Sequence, residues 1–131
     1  MTALYAEIKE ELIVKDNFLY LDGQPYTGVL RKDEGDGHSE SNYLNGHVHG
    51  LYKSYYSSGK IKDVCLYQNG VLTGRAIKYW PNGIKKMNVN YLNGEMDGIY
   101  EEWDQNGILI SMKTYYNGKL ASIKGRLMTS S

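Results

Sequence analysis

Three stretches of the chain are copies of one another: Tyr43-Leu-Asn-Gly46-His-Val-His-Gly50, Tyr67-Gln-Asn-Gly70-Val-Leu-Thr-Gly74 and Tyr91-Leu-Asn-Gly94-Glu-Met-Asp-Gly98. Each starts 24 residues after the one before it, and Tyr115-Tyr-Asn-Gly118 opens a further, partial copy. A second glycine follows nine residues later each time, as Gly59, Gly83 and Gly107. Three full units therefore run 43–66, 67–90 and 91–114, between a degenerate first unit at 20–42 and a partial unit with tail at 115–131. The first unit keeps the nine-residue step from Gly28 to Gly37 but is two residues short and carries Asp33 where an aromatic is expected. Atypical end units suit a stacked array, whose terminal faces have no neighbour.

The glycines say what the unit is. Asn-Gly is the strongest short hairpin signal, because a type I′ turn needs positive φ at both central residues. Gly46, Gly70, Gly94 and Gly118 mark one set of turns, and Gly59, Gly83 and Gly107 a second. Stretches of ordinary strand length lie between them. Each unit then reads as one β-hairpin, and the whole as an all-β, single-layer antiparallel meander of about nine or ten strands over residues 20–120. Because 24 is even, equivalent positions face the same way in every unit. Tyr55, Tyr79 and Trp103 share a parity with Tyr67, Tyr91 and Tyr115, which predicts one aromatic ladder on one face. Residues 1–19 read as a lead-in or cap. Within them, residues 2–12 place Leu4, Ile8 and Leu12 at the spacing of a short amphipathic helix, an extended lead-in strand being the other reading. Gly125–Ser131 reads as a frayed tail.

Composition bounds what such a fold can be for. With 131 residues the chain has room for one domain, and 15 basic against 15 acidic residues give no global argument for nucleic acid. Thirteen Tyr against one Phe suit a thin sheet, since Tyr buries a ring and keeps a hydroxyl wet. Cys65 is the only cysteine, so a disulfide within the chain is excluded. The first residues lack the basic and apolar regions of a secretory signal, and no run is long enough to cross a membrane as a helix, so a cytoplasmic location is expected.

The recurring Tyr-x-Asn-Gly-x3-Gly, the aromatic near position 13 of each unit and the Pro25-Tyr26-Thr27-Gly28 opening resemble MORN repeats of the bacterial MORN-variant type. The resemblance covers residues 20–120. It implies a chain of hairpins used as an interaction platform, with no catalytic residues of its own. Short stand-alone bacterial members of this type look like antitoxin or immunity proteins that neutralise a partner toxin, and eukaryotic relatives are associated with membrane lipids and scaffolding.

The chemistry-bearing residues read mostly as structure. His47 and His49 could share one side of a strand end, with Glu40 or Asp36 as a third metal ligand, but exposed turn residues are the plainer reading. Asp33-Glu-Gly-Asp-Gly-His38 lacks the spacing of a calcium loop. Glu101 and Glu102 are neighbours on a strand and point to opposite faces. No metal, cofactor or catalytic set is expected. Charge along the chain is patterned: net −5 over residues 1–42, then +2, +4 and −4 for the three full units and +3 for the tail. In the basic unit Arg75, Lys78, Lys85 and Lys86 interleave with Trp80, and Tyr56 stands at the position equivalent to Trp80. These six form the candidate partner-binding set, because exposed Trp and Tyr beside cations dominate binding energies. The expected partner is a protein, a toxin by the resemblance, with an anionic membrane surface as the alternative and nucleic acid disfavoured. Open sheet edges also allow pairing with a second copy.

Overall fold

A computed structural model describes residues 11–125 of the chain, and all regular structure within them is β. Nine strands form one antiparallel sheet in strict chain order: β4 (Gly28–Glu34), β5 (Gly37–Leu44), β6 (His47–Tyr55), β7 (Ile61–Gln68), β8 (Val71–Tyr79), β9 (Lys85–Leu92), β10 (Glu95–Trp103), β11 (Leu109–Tyr116) and β12 (Lys119–Gly125). The expected meander is therefore present. It starts later than read from the sequence, because β1 (Leu12–Lys15), β2 (Phe18–Leu21) and β3 (Gln24–Pro25) form a separate three-stranded sheet. The helix expected over 2–12 falls almost wholly outside the described residues, and Leu12 begins β1.

Two kinds of connection alternate along the sheet. At one end, Asn45-Gly46, Asn69-Gly70, Asn93-Gly94 and Asn117-Gly118 are two-residue turns with φ of 48–51° at Asn and 78–87° at Gly. At the other end, Tyr56–Lys60, Trp80–Ile84 and Asp104–Ile108 are five-residue loops closed by two backbone bonds each, such as Trp80 N–H to the Ile84 carbonyl at 2.7 Å and Gly83 N–H to the Trp80 carbonyl at 2.8 Å. The first hairpin is shorter because it replaces this loop by a tight turn: Glu34 pairs directly with Gly37 across Gly35 and Asp36.

Gly50, Gly74 and Gly98 take positive φ where the strand bulges. Between Met96 and Tyr100, three residues of β10 stand opposite one of β9, and β6 and β8 repeat the arrangement. A second irregularity follows each five-residue loop. Ser54 pairs with Asp63 but Tyr55 with Ile61, which leaves Lys62 as an extra residue in β7. That single residue reverses the parity of everything after it.

The aromatic ladder is corrected accordingly. Tyr52 pairs with Cys65, and Gly50 with Tyr67, so Tyr67 lies on the face of Tyr52; Tyr55, three residues on from Tyr52, lies on the other. The same holds for Tyr91 against Tyr79 and for Tyr115 against Trp103. The front face carries Tyr43, Tyr52, Tyr67, Tyr91, Tyr100 and Tyr115; the back carries Tyr55, Tyr79 and Trp103. Packing is concentrated on the front, where Ser39, Ser54 and Val89 are 1–5% exposed.

The small sheet caps the first Asn-Gly turn. Leu19 N–H donates to the Gly46 carbonyl at 2.8 Å, Gly46 N–H donates to Tyr26 at 2.8 Å, and the His47 ring lies 4.2 Å from that of Phe18. Asp16-Asn17 and Asp22-Gly23, both at positive φ, make its turns.

Candidate functional site

Catalysis and metal binding have first claim on histidine and cysteine, and here these side chains are engaged otherwise. His38 stacks on Tyr55 with centroids 4.6 Å apart, and His49 Nδ1 accepts from the Asn69 N–H at 3.1 Å. Among the described residues no group of three His, Cys, Asp or Glu is arranged to hold a metal. Burial, with Asp63 second, pushes the Cys65 thiol up, away from the reactive thiolate. Glu101 pairs with Asn88 on the back while Glu102 pairs with Met87 on the front, so the two carboxylates cannot meet on one substrate.

The loop end is where aromatic and cationic groups gather. Tyr56 and Trp80 open successive loops, and each is half-buried because it reaches to the next repeat. The Tyr56 hydroxyl donates to the Tyr79 carbonyl at 2.6 Å, and Trp80 Nε1–H to the Trp103 carbonyl at 3.0 Å. A lysine lies over each ring: Lys62 Nζ is 5.8 Å from the Tyr56 centroid and Lys86 Nζ 4.6 Å from that of Trp80. Lys62 and Lys86 occupy the same repeat position, the bulge residue, so the pairing recurs with the repeat. In the third loop Asp104 replaces the aromatic and caps its own loop, accepting from Asn106 and Ile108 N–H.

Of the six candidate residues, Tyr56, Trp80, Lys85 and Lys86 are thus brought to the loop end. Arg75 and Lys78 are not on one face: Arg75 pairs with Asn90 on the back, and Lys78 pairs with Met87 on the front. Their odd spacing on one strand dictates the split. Lys62 was missed from sequence, and only the equivalence of 62 with 86 would have found it.

Two open clefts adjoin this end. One of about 440 Å³ is lined by Glu34, Asp36, His38, Tyr55, Tyr56 and Lys62, and it shares Tyr52 and Asp63 with a second of about 340 Å³ on the front face. Asp63 joins them chemically, accepting from the Ser54 hydroxyl at 2.7 Å with Lys78 Nζ at 3.8 Å from its other oxygen. The back face is left apolar in places, with Val29, Leu51 and Ile99 44–55% exposed.

Residues 48–69 and 96–117 match the MORN repeat variant family model, and the two matches begin two 24-residue periods apart. No curated protein matches the chain. MORN repeats are binding modules for proteins or membrane lipids. No helix among the described residues is long and apolar enough to cross a membrane.

Proposed function

We propose, from the premise that this is a MORN-repeat protein, that it is a non-enzymatic module that binds and neutralises a partner protein, of the antitoxin or immunity type. The observation that carries the binding reading is an imbalance of surface. Among the described residues two large hydrophobics are buried and sixteen are exposed, so a one-layer sheet offers both faces to other molecules. The docking zone is the loop end of the first two full repeats, where Tyr56 with Lys62 and Trp80 with Lys85 and Lys86 stand beside the two clefts. Rings held by their own hydrogen bonds lose little freedom on binding, which favours affinity. Lysines around them steer an acidic partner and add a dependence on salt.

The test is affinity capture from the native lysate at physiological and at high salt, followed by calorimetry with the captured protein. A stoichiometric partner released by salt is expected, and joint substitution of Trp80→Ala and Lys86→Glu should weaken it at least tenfold. Undiminished affinity of a folded double variant removes the loop end from the interface; Leu51→Asp then tests the apolar back face. Anionic vesicles are the other reading, favoured by Trp80 beside two lysines. Co-sedimentation with them at physiological salt, together with no protein captured, would replace the protein partner by a lipid one.

A further inference from the structure

The front face has one ring too few. At repeat position 10 it carries Tyr52, Ala76 and Tyr100, each beside the position 23 residue of the following strand: Tyr52 pairs with Cys65, Ala76 with Val89 and Tyr100 with Lys113. The second unit alone has a methyl group where its sisters have a phenol. The 340 Å³ cleft opens over this methyl, walled by Tyr52, Cys65, Tyr67, Met87 and Tyr91. That is room for an aromatic ring among side chains that suit one.

Its sisters show how a ring sits there. The Tyr100 ring meets Tyr115 edge-on, with centroids 6.0 Å apart, and lies under Lys113. The position 12 residue is the next one along the same face: Glu102 after Tyr100 and Ser54 after Tyr52. In the second unit position 12 is Lys78. At 3.8 Å the Lys78–Asp63 ion pair is too long for a hydrogen bond, so the ammonium keeps a donor and the carboxylate an acceptor for a guest in the cleft that both residues line. A phenol hydroxyl, which both donates and accepts, complements that pair.

We infer that the cleft over Ala76 is a socket for a single tyrosine side chain of the partner protein. The inference rests on the protein-binding reading. It extends the loop-end surface onto the front face through Tyr52 and Asp63, which line both clefts. A tyrosine is chosen over other residues because the frame around the gap is the one in which this chain seats its own tyrosines.

The experiment titrates the full chain with p-cresol, the tyrosine side chain alone, and with N-acetyl-tyrosinamide, following the methyl signal of Met87. Saturable shifts at Met87 are expected for both, and weaker ones for toluene, which lacks the hydroxyl. Ala76→Tyr, which gives the second unit the residue of its sisters, should abolish them. Lys78→Met should weaken p-cresol about fivefold, one hydrogen bond's worth, and leave toluene unchanged. No saturable shift with p-cresol, or equal shifts in Ala76→Tyr, overturns the socket. Should Ala76→Tyr fail to fold, Ala76→Leu fills the same space and is judged by the same loss. The captured partner separates the two readings. Tenfold weaker binding to Ala76→Tyr supports the socket, unchanged binding overturns it while the docking reading stands, and failure to capture any protein overturns the docking reading even where p-cresol binds.

Discussion

The two ends of the hairpins are built on opposite plans. The Asn-Gly end repeats itself: four turns of the same sequence and dihedrals, each glycine N–H donating at 2.8–2.9 Å to a carbonyl of the preceding unit, Tyr26, Val48, Leu72 or Met96. The loop end varies: a tight turn first, then loops opened by Tyr56, Trp80 and Asp104. At the first end a backbone bond joins one unit to the next at every turn, and a side chain of the preceding unit, Thr27, His49 or Asp97, adds a second at three of the four. At the second, side chains make the junction, and they can be exchanged as long as the loop closes. A repeat protein that holds one end constant can diversify the other, which is where the aromatic and cationic groups collect.

The largest test of this contrast is a pair of glycine substitutions. Gly46 is buried under the small sheet; a Cβ there would lie 3.0 Å from Phe18 Cδ2 and 3.2 Å from the Leu19 carbonyl, at a φ of 87°. Gly59 has a φ of 90° and nothing within 4 Å. Gly46→Ala should cost about 2–4 kcal/mol, strain plus a displaced cap. Gly59→Ala should cost about 1 kcal/mol, strain alone. Urea denaturation of both variants measures the difference, and equal losses would erase the distinction between the ends.

Next in size are the side-chain ties of the loops. Trp80→Phe and Tyr56→Phe keep a ring and remove the donor to the Trp103 or Tyr79 carbonyl, for about 1 kcal/mol each. If either proves neutral by the same denaturation, the loop end is held by its backbone like the other. Thr27→Val is smaller, about 0.5–1 kcal/mol, since it removes only the 2.9 Å bond from Asn45 N–H to the Thr27 hydroxyl at an exposed turn. His49 and Asp97 hold the turns at Asn69 and Asn117 in the same way, so Thr27→Asp should restore what Thr27→Val loses.

The last test uses pH. Burial, with Asp63 second, raises the Tyr56 hydroxyl above its ordinary pKa. A group raised on folding contributes stability that is whole below the unfolded value of about 10 and is lost as pH climbs through the folded one. Raising the pH beyond about 10 should therefore loosen the first loop, read by hydrogen exchange at Gly59 and Lys60, before it loosens the turns of the Asn-Gly end. Tyr100, pushed up to about 12 by burial and then by Glu102, should be among the last tyrosines to ionise in an ultraviolet titration. Glu102→Gln should bring it down.

The meander was legible because Asn-Gly turns state their geometry locally: two residues at positive φ announce a hairpin without reference to anything distant. The cap was less legible. Asp16-Asn17 and Asp22-Gly23 carry the same kind of turn signal but occur outside the 24-residue period, so no repeat reinforces it. The faces were misread for a sharper reason. Parity counting assumes an unbroken pleat, and Lys62 breaks it with no sequence mark of its own. One bulge residue per hairpin moved Tyr55, Tyr79 and Trp103 away from Tyr67, Tyr91 and Tyr115. The odd spacing of Arg75 and Lys78 on one strand, with no bulge involved, split a patch that looked continuous in the chain. The gap at Ala76 was visible in the alignment of the units, yet it means something only once Tyr52, Ala76 and Tyr100 are known to share a face with the cleft.

The order of strands across the large sheet is the order of the chain, from β4 to β12 without a crossover. Every strand therefore waits for a neighbour that is synthesised immediately before or after it. Loop closure is cheap at each step, and assembly can begin at any hairpin and spread by zipping, the regime of low contact order. The same wiring has a mechanical side. Pulled by its ends, such a sheet should come apart one hairpin at a time, in a row of small force steps in place of one large rupture. It also has an evolutionary side: duplicating 24 residues inserts a whole hairpin, bulge included, so every side chain beyond it keeps its face.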